Sequence, residues 1–319
     1  LKNLTPTEMG VVASKAAIKQ AGVNPEDIDH VVIGNLLPSS SDITYTPRHI
    51  GIKSGIPIHV PALGLNRLCG SGFQAIVSGA QMIVTGEANC VLAGGTESMS
   101  GAPYIVRGAR FGYRMGNGEF EDVMTTLLTD SYTGDPMAIT AETLAEQYKI
   151  SRQEVDAFAF MSQDRCRKAT EKGLFDTEIA PVEIKGKKGT EMFSRDEYPR
   201  PEITIEGLSK LKAIFKKDGV VTAGTASGIV DGAASAIVTS RSFAEKKGLK
   251  PLARLVSWGS VGCDPRIMGI GPVGASKKAL ERAKLKLSDM NLVEVNEAFC
   301  AQYLAVEKEL GLNREVTNV

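Results

Sequence analysis

The sequence predicts an α/β fold that is built from a duplicated unit and interrupted by an inserted loop domain. Three observations support this prediction. Amphipathic helices alternate with apolar strands towards both ends of the chain, a pattern typical of a mostly parallel sheet covered by helices. A helix-and-strand segment near the start recurs near the end, and the segment between residues 101 and 221 has a different composition. The 319 residues suffice for one large domain or two ordinary ones.

The first elements are a helix and two strands. The segment TPTEMGVVASKAAIKQAG is amphipathic, with Thr5 as the N-cap, Pro6 at the first helical position and Gly22 as the stop. The apolar segment HVVIGNLL predicts a strand. Further along, CVLAGGTESMS predicts a buried strand that ends in glycines and small polar residues.

A long insertion is predicted between Gly101 and Val221, where charged residues mix with methionine, tyrosine and proline. It contains one clear helix, SRQEVDAFAFMSQDRCRKATEKG, and a predicted hairpin at VEIKGKKGTEM. The regular pattern returns at VTAGTASGIVDGAASAIVTS and again from LARLVSWGSVG onward. The insertion is therefore expected to form loops and a small helical subdomain.

An internal repeat supports the duplication. The segment from Ala17 to Asn35 aligns with the segment from Ala279 to Glu297 at one constant offset. Each copy predicts a helix, an Asp-containing turn and an apolar strand. A chance match between two amphipathic helices is the alternative. If the repeat is real, the second half of the fold continues past Val319 and is incomplete in this chain.

Composition and charge exclude several function classes. The 37 basic and 37 acidic side chains balance, so the chain lacks the basic excess typical of nucleic-acid binding. The short basic runs KGKK and FKKDG are typical of solvated loops. Five cysteines without a CxxC pair predict neither a zinc site nor a disulfide framework, and they favour a reducing, intracellular setting. No apolar run is long enough to span a bilayer.

The stretch NRLCGSGFQA gives the strongest functional signal. Apolar residues recur at helical spacing from Phe73 to Val84, which predicts a helix with that face in the core. Cys69 is therefore expected on a tight turn at a helix N-terminus, where free N–H groups and the helix dipole favour a thiolate. Gly70 and Gly72 leave room for a substrate. The alternative is a buried cysteine that packs as a small hydrophobic side chain.

Two further segments combine polar side chains with small residues. VNEAF places Asn296 and Glu297 at the end of a predicted strand, where α/β enzymes bind ligands. TAGTASG, which contains Ser227, would let a ligand lie against the backbone. A helix cap at Asn296 and a flexible turn at Ser227 are the alternatives. GIGPVG matches GxGxxG in form, but its internal proline and its distance from a strand argue against a dinucleotide site.

A cysteine nucleophile needs a base or a local field that ionises it. His30, His49 and His59 are the only histidines of the chain. His30 and His59 are expected to be structural, and His49 stays open between the two roles. The residues therefore predict a nucleophile without a recognisable proton-transfer partner.

Five motifs in this order resemble the thiolase family: NRLCGSGFQA, LAGGTESMS, KKDGVVTAGTASGIVDGAAS, GCDPRIMGIGPVGAS and VEVNEAF. The resemblance covers essentially the whole chain, and RLCGSGFQ is most similar to the mitochondrial type. It implies a duplicated thiolase-like αβαβα layered fold with an inserted loop domain, which agrees with the repeat and the insertion. It divides the chain into an N-terminal half (1–100 and 222–248), a loop domain (101–221) and an incomplete C-terminal half (249–319).

The resemblance also implies an acyltransferase with acyl-CoA and coenzyme A as partners. Cys69 would attack the ketone carbon of a 3-ketoacyl-CoA, release acetyl-CoA and pass the shortened acyl chain to a second coenzyme A, as in fatty-acid β-oxidation. Asn296 would hold a water that stabilises the oxyanion, and the Cys69 N–H would act similarly on the acyl-enzyme. The expected coenzyme A contacts are Ser227 for the pantetheine, Arg200 for the nucleotide end, and Ile203 or Thr204 in place of a family threonine.

The family's Gly-His-Pro histidine and Cys-x-Gly-Gly cysteine are expected beyond Val319, and its first strand before Leu1. The chain is therefore expected to be truncated at both ends and inactive alone. Biosynthetic formation of acetoacetyl-CoA and an inactive acyl-CoA-binding fragment are the alternatives. The resemblance further implies a homodimer or homotetramer when complete, with no permanent cofactor, metal, nucleic acid or membrane span. The expected location is the mitochondrial matrix or, alternatively, the bacterial cytoplasm.

Overall fold

Helices and strands alternate along the residues that the structure, a computed structural model, describes: 1–186 and 189–319. The helices in these ranges are α1 (Pro6–Ala21), α2 (Thr46–Lys53), α3 (Ser71–Val84), α4 (Val123–Leu127), α5 (Met137–Gln147), α6 (Arg152–Glu171), α7 (Ile205–Ser209), α8 (Arg241–Lys246), α9 (Gly271–Ala283) and α10 (Cys300–Leu310). The strands are β1 (His30–Gly34), β2 (Ala62–Leu65), β3 (Cys90–Ser98), β4 (Tyr104–Ile105), β5 (Glu121–Asp122), β6 (Val182–Gly186), β7 (Gly189–Phe193) and β8 (Asp231–Thr239). The chain divides into two units, and each is described by itself.

The first unit comprises Leu1–Thr125, Ile179–Arg195 and Ile229–Leu255, and it is built on a four-stranded sheet. The strand order is β2-β1-β3-β8, with β2, β1 and β3 parallel and β8 antiparallel to β3. Val31 and Ile33 pack with residues of α1 and α2, whereas Val32 packs with residues of α3. Helices thus cover both faces of the sheet, which explains why β1 is apolar throughout.

The first helix begins and ends where the sequence predicts. The Thr5 hydroxyl accepts a hydrogen bond from the Glu8 N–H (3.2 Å), and the Glu8 carboxylate accepts one from the Thr5 N–H (2.8 Å). This reciprocal pair is a capping box. Gly22, with φ +70°, ends the helix in the left-handed conformation that glycine adopts without a steric penalty.

The hairpin predicted at VEIKGKKGTEM is present. Strands β6 and β7 pair antiparallel from Val182 opposite Phe193 to Gly186 opposite Gly189. The two lysines at 187 and 188, part of the predicted basic run, lie outside the described residues. The helix predicted at SRQEVDAFAFMSQDRCRKATEKG is α6, which begins with a second capping box formed by Ser151 and Glu154.

Helix α3 is present, but only part of its predicted core face, including Ile76 and Ile83, packs against the core. The apolar periodicity places Phe73 and Val84 in the core, yet they are 73% and 79% exposed. The fully buried residues of α3 are Ser71, Ala75 and Gly79. A Cβ at Gly79 would lie 3.0 Å from Val91 Cγ1, so α3 approaches the sheet more closely than large side chains would allow. The side of α3 that contacts the sheet therefore carries small residues, because only they fit at this short distance.

The second unit comprises Thr126–Glu178, Asp196–Gly228 and Val256–Val319, and α10 lies in its core. The Tyr303 ring of α10 stacks on Phe158 of α6, with the ring centroids 4.1 Å apart. Glu142 of α5 is buried and accepts hydrogen bonds from the N–H groups of Val220 (2.9 Å) and Val221 (2.9 Å). These bonds fix the start of the TAGTASG segment to α5.

The repeat appears in the structure as a repeated helix and turn. Helix α1 ends at Ala21 and α9 at Ala283, and short 3₁₀ turns follow at Pro25–Asp27 and Leu287–Asp289, all at the offset of the sequence repeat. The strand part differs, because HVVIG forms β1 whereas VEVNE has only an isolated bridge between Val293 and Thr317. The segment LARLVSWGSVG, where the regular helix-and-strand pattern was expected to return, likewise forms no strand in the described residues. A strand needs a paired neighbour along its length, and neither segment has one there.

Candidate active site

Cys69 lies on a tight turn between β2 and α3, as the sequence predicts. The Gly70 N–H donates to the Arg67 carbonyl (3.0 Å), and the Ser71 N–H donates to the Leu68 carbonyl (3.0 Å). The Ser71 hydroxyl accepts from the Arg67 N–H (2.9 Å) and donates to the Leu68 carbonyl (2.7 Å). These four hydrogen bonds close the turn around Cys69, whose side chain stays exposed.

Leu68, the residue before Cys69, has a left-handed backbone with φ +48°. A leucine in this region is strained by about 1–2 kcal/mol. The Leu68 N–H donates to the Asn66 Oδ1 (2.9 Å), which supports the strained conformation. Local strain that neighbouring contacts enforce is common at functional sites. The strained turn therefore adds support for Cys69 as a functional residue beyond that given by the sequence motif.

Small residues bring the Cys69 turn close to the sheet. A Cβ at Gly34, the last residue of β1, would lie 2.6 Å from the Ser71 Cβ, and one at Gly95 would lie 3.8 Å from the Gly72 Cα. The start of α3 thus packs directly on β1 and β3. Gly70, the N-cap of α3, has no side chain to bond the first-turn N–H groups, and the positive end of the helix dipole lies at this turn.

Burial distinguishes Cys69 from the other cysteines. Cys90 and Cys300 are buried, and this burial raises the pKa of each thiol to about 12. Cys263 is exposed, but desolvation raises the pKa of its thiol as well. Cys166 is half-buried on α6. Because the thiolate is the nucleophilic form, three of these four are poor candidates, and the buried, structural alternative is wrong for Cys69.

The described histidines do not supply a base for Cys69. The His49 Nδ1 lies 3.3 Å from Asp42 Oδ2, and the His30 Nδ1 lies 3.1 Å from the Val31 carbonyl. In the described ranges, no hydrogen bond joins the ring of His30, His49 or His59 to the Cys69 thiol. In the described part of the first unit, the nucleophile candidate therefore has no histidine hydrogen-bonded to it.

In the second unit, the structure brings Ser227 next to the segment that contains Asn296. The Ser227 N–H donates to the Ala298 carbonyl (3.0 Å), and the Cys300 N–H donates to the Thr225 carbonyl (2.9 Å). TAGTASG and NEAF, two separate motifs in the sequence, thus form one paired structure. Asn296 is exposed and lies two residues before Ala298, so it belongs to the segment that pairs with Ser227.

Arg200 joins this region through Tyr198. The Arg200 guanidinium carbon lies 5.8 Å from the Tyr198 ring centroid, and its Nη1 donates to the Glu197 carbonyl (2.9 Å). The Tyr198 hydroxyl donates to the Ala226 carbonyl (3.2 Å). Its ring occupies the space that a Cβ at Gly228 would need. The second unit therefore groups Arg200, Ser227 and Asn296, whereas Cys69 belongs to the first unit.

Thr204 is the N-cap of α7. Its hydroxyl accepts a hydrogen bond from the Gly207 N–H (3.0 Å), and the residue is exposed. The neighbouring Ile203 packs against the hydrophobic core of the second unit. Of the two residues left open by the sequence, Thr204 is thus the one with an exposed polar group.

Sequence reasoning missed Tyr198, Ser162 and Asn318. The Ser162 hydroxyl and the Asn318 amide both donate to the Glu297 carboxylate, at 2.6 and 2.7 Å. A serine within a long helix gives no sequence signal, and an asparagine near a turn is common. Of the three, only Tyr198 had a sequence signal, because it lies two residues before the candidate Arg200.

Other site types find little support in the described residues. No group of three or more His, Cys, Asp or Glu there has an arrangement suited to a metal ion. The helices of that part of the chain are too short or too polar to cross a membrane. GIGPVG spans the end of a 3₁₀ turn (Pro265–Ile270) and the start of α9, which is not the strand-to-helix turn of a dinucleotide site. A cavity of about 330 Å³ in the second unit, lined in part by Tyr148, Cys263 and Val273, contains none of the predicted site residues.

Two family models together match nearly the whole chain. The family described as "Thiolase, N-terminal domain" matches residues 1–242, and "Thiolase, C-terminal domain" matches residues 249–319. The chain belongs to the thiolase family. The resemblance inferred from the five motifs is confirmed, and so is the predicted fold class.

Individual relatives support the same assignment of this thiolase. It is 52% identical to the mitochondrial 3-ketoacyl-CoA thiolases of Bos taurus and Homo sapiens, over 100% of this chain and 81% of each relative. It is 46% identical to beta-ketothiolase BktB of Cupriavidus necator, over 100% of this chain and 81% of that protein. The crystal structure of the human mitochondrial enzyme, at 52% identity, gives a TM-score of 0.98 over 100% of this chain and 81% of that chain.

A second crystal structure of the human mitochondrial 3-ketoacyl-CoA thiolase is a complex with CoA. It matches this thiolase with a TM-score of 0.97 and 52% identity, over 100% of this chain and 80% of that chain. The predicted enzyme class, an acyltransferase of the thiolase type, is confirmed by these relatives. The individual site residues and the limits of the inserted loop domain stay predictions.

Proposed function

We propose that this thiolase cleaves a 3-ketoacyl-CoA with coenzyme A, giving acetyl-CoA and a shortened acyl-CoA in fatty-acid β-oxidation. The main supporting observation is the exposed Cys69 on its strained turn at the start of α3. Relatives named 3-ketoacyl-CoA thiolase are 52% identical, whereas a Chromobacterium violaceum relative named acetyl-CoA acetyltransferase is 46% identical. The degradative direction is therefore favoured over the biosynthetic one.

Cys69 is the proposed nucleophile. Its thiolate attacks the ketone carbon, the bond between the α-carbon and that carbon breaks, and the electron pair leaves with the acetyl-CoA part, which takes up a proton. The remaining acyl chain is then a thioester on the Cys69 sulfur. The thiol of a second coenzyme A attacks this thioester, loses its proton and releases the Cys69 thiolate.

Proton transfer has no assigned residue in this chain. The resemblance assigns it to a Gly-His-Pro histidine and a Cys-x-Gly-Gly cysteine, and the 319 residues contain neither motif. The roles proposed for the described residues are therefore nucleophilic attack, oxyanion stabilisation and binding of coenzyme A.

Asn296 is the proposed support for the oxyanion. Its exposed amide is expected to hold a water that donates a hydrogen bond to the ketone oxygen as negative charge develops there. The Cys69 N–H is proposed to stabilise the oxyanion of the acyl-enzyme in the same way. A preorganised donor of this kind lowers the barrier because it needs no reorientation during the reaction.

Coenzyme A is proposed to bind through Arg200, Thr204 and Ser227. Guanidinium groups suit phosphate oxygens, and the contacts of Arg200 with Tyr198 and Glu197 hold its side chain in place. The Ser227 hydroxyl is proposed for the pantetheine amides. Thr204 can donate its hydroxyl proton to the ligand while it accepts from the Gly207 N–H. The CoA complex of the human relative supports this binding.

A homodimer, or a homotetramer made from two such dimers, is the proposed assembly. Strand β2 lies at the edge of its sheet, and Leu63 on it is 40% exposed. Leu68 and Phe73 follow at 53% and 73% exposure. Open sheet edges and exposed apolar side chains are typical of interfaces, and a second copy related by a two-fold axis would cover both.

The mitochondrial matrix is the location supported by resemblance, because the relatives at 52% identity are named mitochondrial. For the domain limits we keep the division proposed from sequence: 1–100 with 222–248, 101–221, and 249–319. Limited proteolysis is the corresponding measurement, and it should cut first within or beside residues 101–221.

Replacement of the nucleophile tests the proposed reaction. In the full-length protein, Cys69→Ala should abolish the acyl adduct that mass spectrometry detects after mixing with acetoacetyl-CoA, since no thiol remains to accept the acyl group. Affinity for coenzyme A, measured by calorimetry, should stay within about twofold because the proposed contacts lie elsewhere. Cys263→Ala, which removes the other exposed thiol, is the matched control and should keep the adduct. An adduct that persists in Cys69→Ala and is lost in Cys263→Ala would contradict the proposal.

A further inference from the structure

Asn296 lies outside every helix and strand, so the residues around it must fix its orientation. In residues 1–186 and 189–319, its side chain makes no hydrogen bond of its own. An amide that positions a water needs a defined direction, because a displacement of about 1 Å can cost about a hundredfold in rate. The residues on either side of Asn296 are therefore the place to look for its support.

Both neighbours of Asn296 are bonded to the same side chain, that of Asn318. The Val295 N–H donates to Asn318 Oδ1 (2.8 Å), and Asn318 Nδ2 donates to the Val295 carbonyl (2.8 Å). Asn318 Nδ2 also donates to Glu297 Oε1 (2.7 Å). The single amide of Asn318 thus bonds the backbone before Asn296 and the carboxylate after it, and it uses both of its N–H donors to do so.

The second carboxylate oxygen of Glu297 connects this arrangement to α6. Glu297 Oε2 accepts a hydrogen bond from the Ser162 hydroxyl at 2.6 Å, the short distance typical of a hydroxyl bonded to a carboxylate. Glu297 is half-buried, so these bonds compete less with water than they would at an exposed site. Each oxygen of the carboxylate therefore has its own donor.

Asn318 is itself held in place from two sides. Its backbone adopts φ +51°, a left-handed conformation that asparagine tolerates better than most residues. The Asn318 N–H donates to the Val293 carbonyl (2.9 Å), and Arg165 Nη1 donates to the Asn318 carbonyl (2.9 Å). Arg165 and Ser162 are both on α6, so one long, capped helix supports both ends of the arrangement.

We propose that Glu297 and Asn318 are positioning residues that fix the side chain of Asn296, with Ser162 as their anchor on α6. This inference rests on the proposed role of Asn296 in oxyanion stabilisation. It extends that role, because it states which bonds make the Asn296 amide a directed donor rather than a mobile one. Removal of the Glu297 carboxylate leaves Asn296 present but free to reorient.

A double-mutant cycle in the full-length protein tests the proposal. Asn296→Ala should lower kcat by roughly 10- to 1,000-fold, the effect of losing one oxyanion donor. Glu297→Ala should lower kcat by about tenfold or more, with KM for coenzyme A within about twofold, because positioning matters in the transition state. In the Asn296→Ala background, Glu297→Ala should have no further effect on kcat, since it acts only through Asn296.

Conservative and control variants separate positioning from general stability. Glu297→Gln should restore near-normal kcat, because its oxygen accepts from Asn318 and its N–H can donate to Ser162. Ser162→Ala removes one bond and should give a smaller decrease than Glu297→Ala. Glu171→Ala, on the same helix but in a surface ion pair with Arg167, is the matched control and should leave kcat unchanged. Thermal melts confirm that each variant is folded.

The outcomes distinguish this inference from the role of Asn296 itself. If Asn296→Ala leaves kcat unchanged, the proposed oxyanion role is wrong and the positioning proposal falls with it. If Asn296→Ala lowers kcat while Glu297→Ala does not, only the positioning proposal is wrong. Independent, multiplicative effects of the two changes would also overturn it, because Glu297 would then act by another route.

Discussion

Among the individual residues, Cys69 is expected to react first with limiting iodoacetamide at neutral pH. Its side chain is exposed at the positive end of α3, whereas burial holds the thiols of Cys90 and Cys300 largely protonated, with a pKa of about 12. Thiolate content controls the alkylation rate. Peptide mass spectrometry of the folded protein gives the order of labelling.

Cys263 is the internal control for this order, because it is also exposed but has a raised pKa. It should label after Cys69 and before the two buried cysteines. Labelling of Cys166 or Cys300 ahead of Cys69 would argue against a reactive thiol at the turn. In unfolded protein the differences should disappear.

The position of a single residue in the fold can be predicted from sequence when a local pattern marks it. The exposed position of Cys69 on a tight turn was predictable, because a glycine directly after the cysteine and a helical apolar pattern behind it mark such a turn. The support proposed for Asn296 was not predictable, because the bonds from Ser162 and Asn318 to Glu297 join residues that are separated in the chain. No local pattern contains these contacts, which arise only when α6 packs with the segments before and after α10.

At the scale of elements, the contact between β1 and α3 should tolerate no added side chain at Gly34. A Cβ there would lie 2.6 Å from the Ser71 Cβ and 3.0 Å from its backbone carbon, so Gly34→Ala must displace the start of α3. We expect a loss of about 1–3 kcal/mol in the free energy of unfolding, measured by urea denaturation. The alkylation rate of Cys69 should change as well, since its turn moves with the helix.

Gly72→Ala is the matched control for that experiment. Gly72 lies in the first turn of the same helix, and a Cβ there has nothing within 4 Å. The substitution should be neutral or stabilising by up to about 1 kcal/mol. Equal destabilisation by both alanines would mean that helix conformation, and not the contact with β1, decides the outcome.

Element types were predicted better than element faces. The caps of α1, the hairpin of β6 and β7 and the start of α3 follow from local chemistry, and the structure has them. The core face of α3 was only partly right, because the apolar pattern included Phe73 and Val84, which are exposed, while the closest contact with the sheet is made by small residues. The strand expected at VEVNE was also wrong, because strand formation depends on a partner that local sequence does not specify.

For the whole molecule, the open edge of β2 predicts self-association. Sedimentation of the full-length protein should show a dimer or tetramer, and Leu63→Lys should shift it towards monomer by placing a charge on the exposed edge. Leu252→Lys changes a residue that is 98% exposed in the same unit, away from the sheet, and should leave the assembly unchanged. Dissociation by both variants, or by neither, would count against the β2 edge as the interface.

The antiparallel pairing of β8 with β3 has a consequence for the order in which the protein can fold. The two strands pair along nine residues, from Cys90 opposite Thr239 to Ser98 opposite Asp231, yet more than a hundred residues separate them. During synthesis, β3 leaves the ribosome long before β8 exists, so one edge of a buried strand stays open while α5 and α6 are being made. Closure of so long a loop is slow, and an open apolar edge invites association with other chains. The nascent chain is therefore most dependent on chaperones in the interval between these two strands.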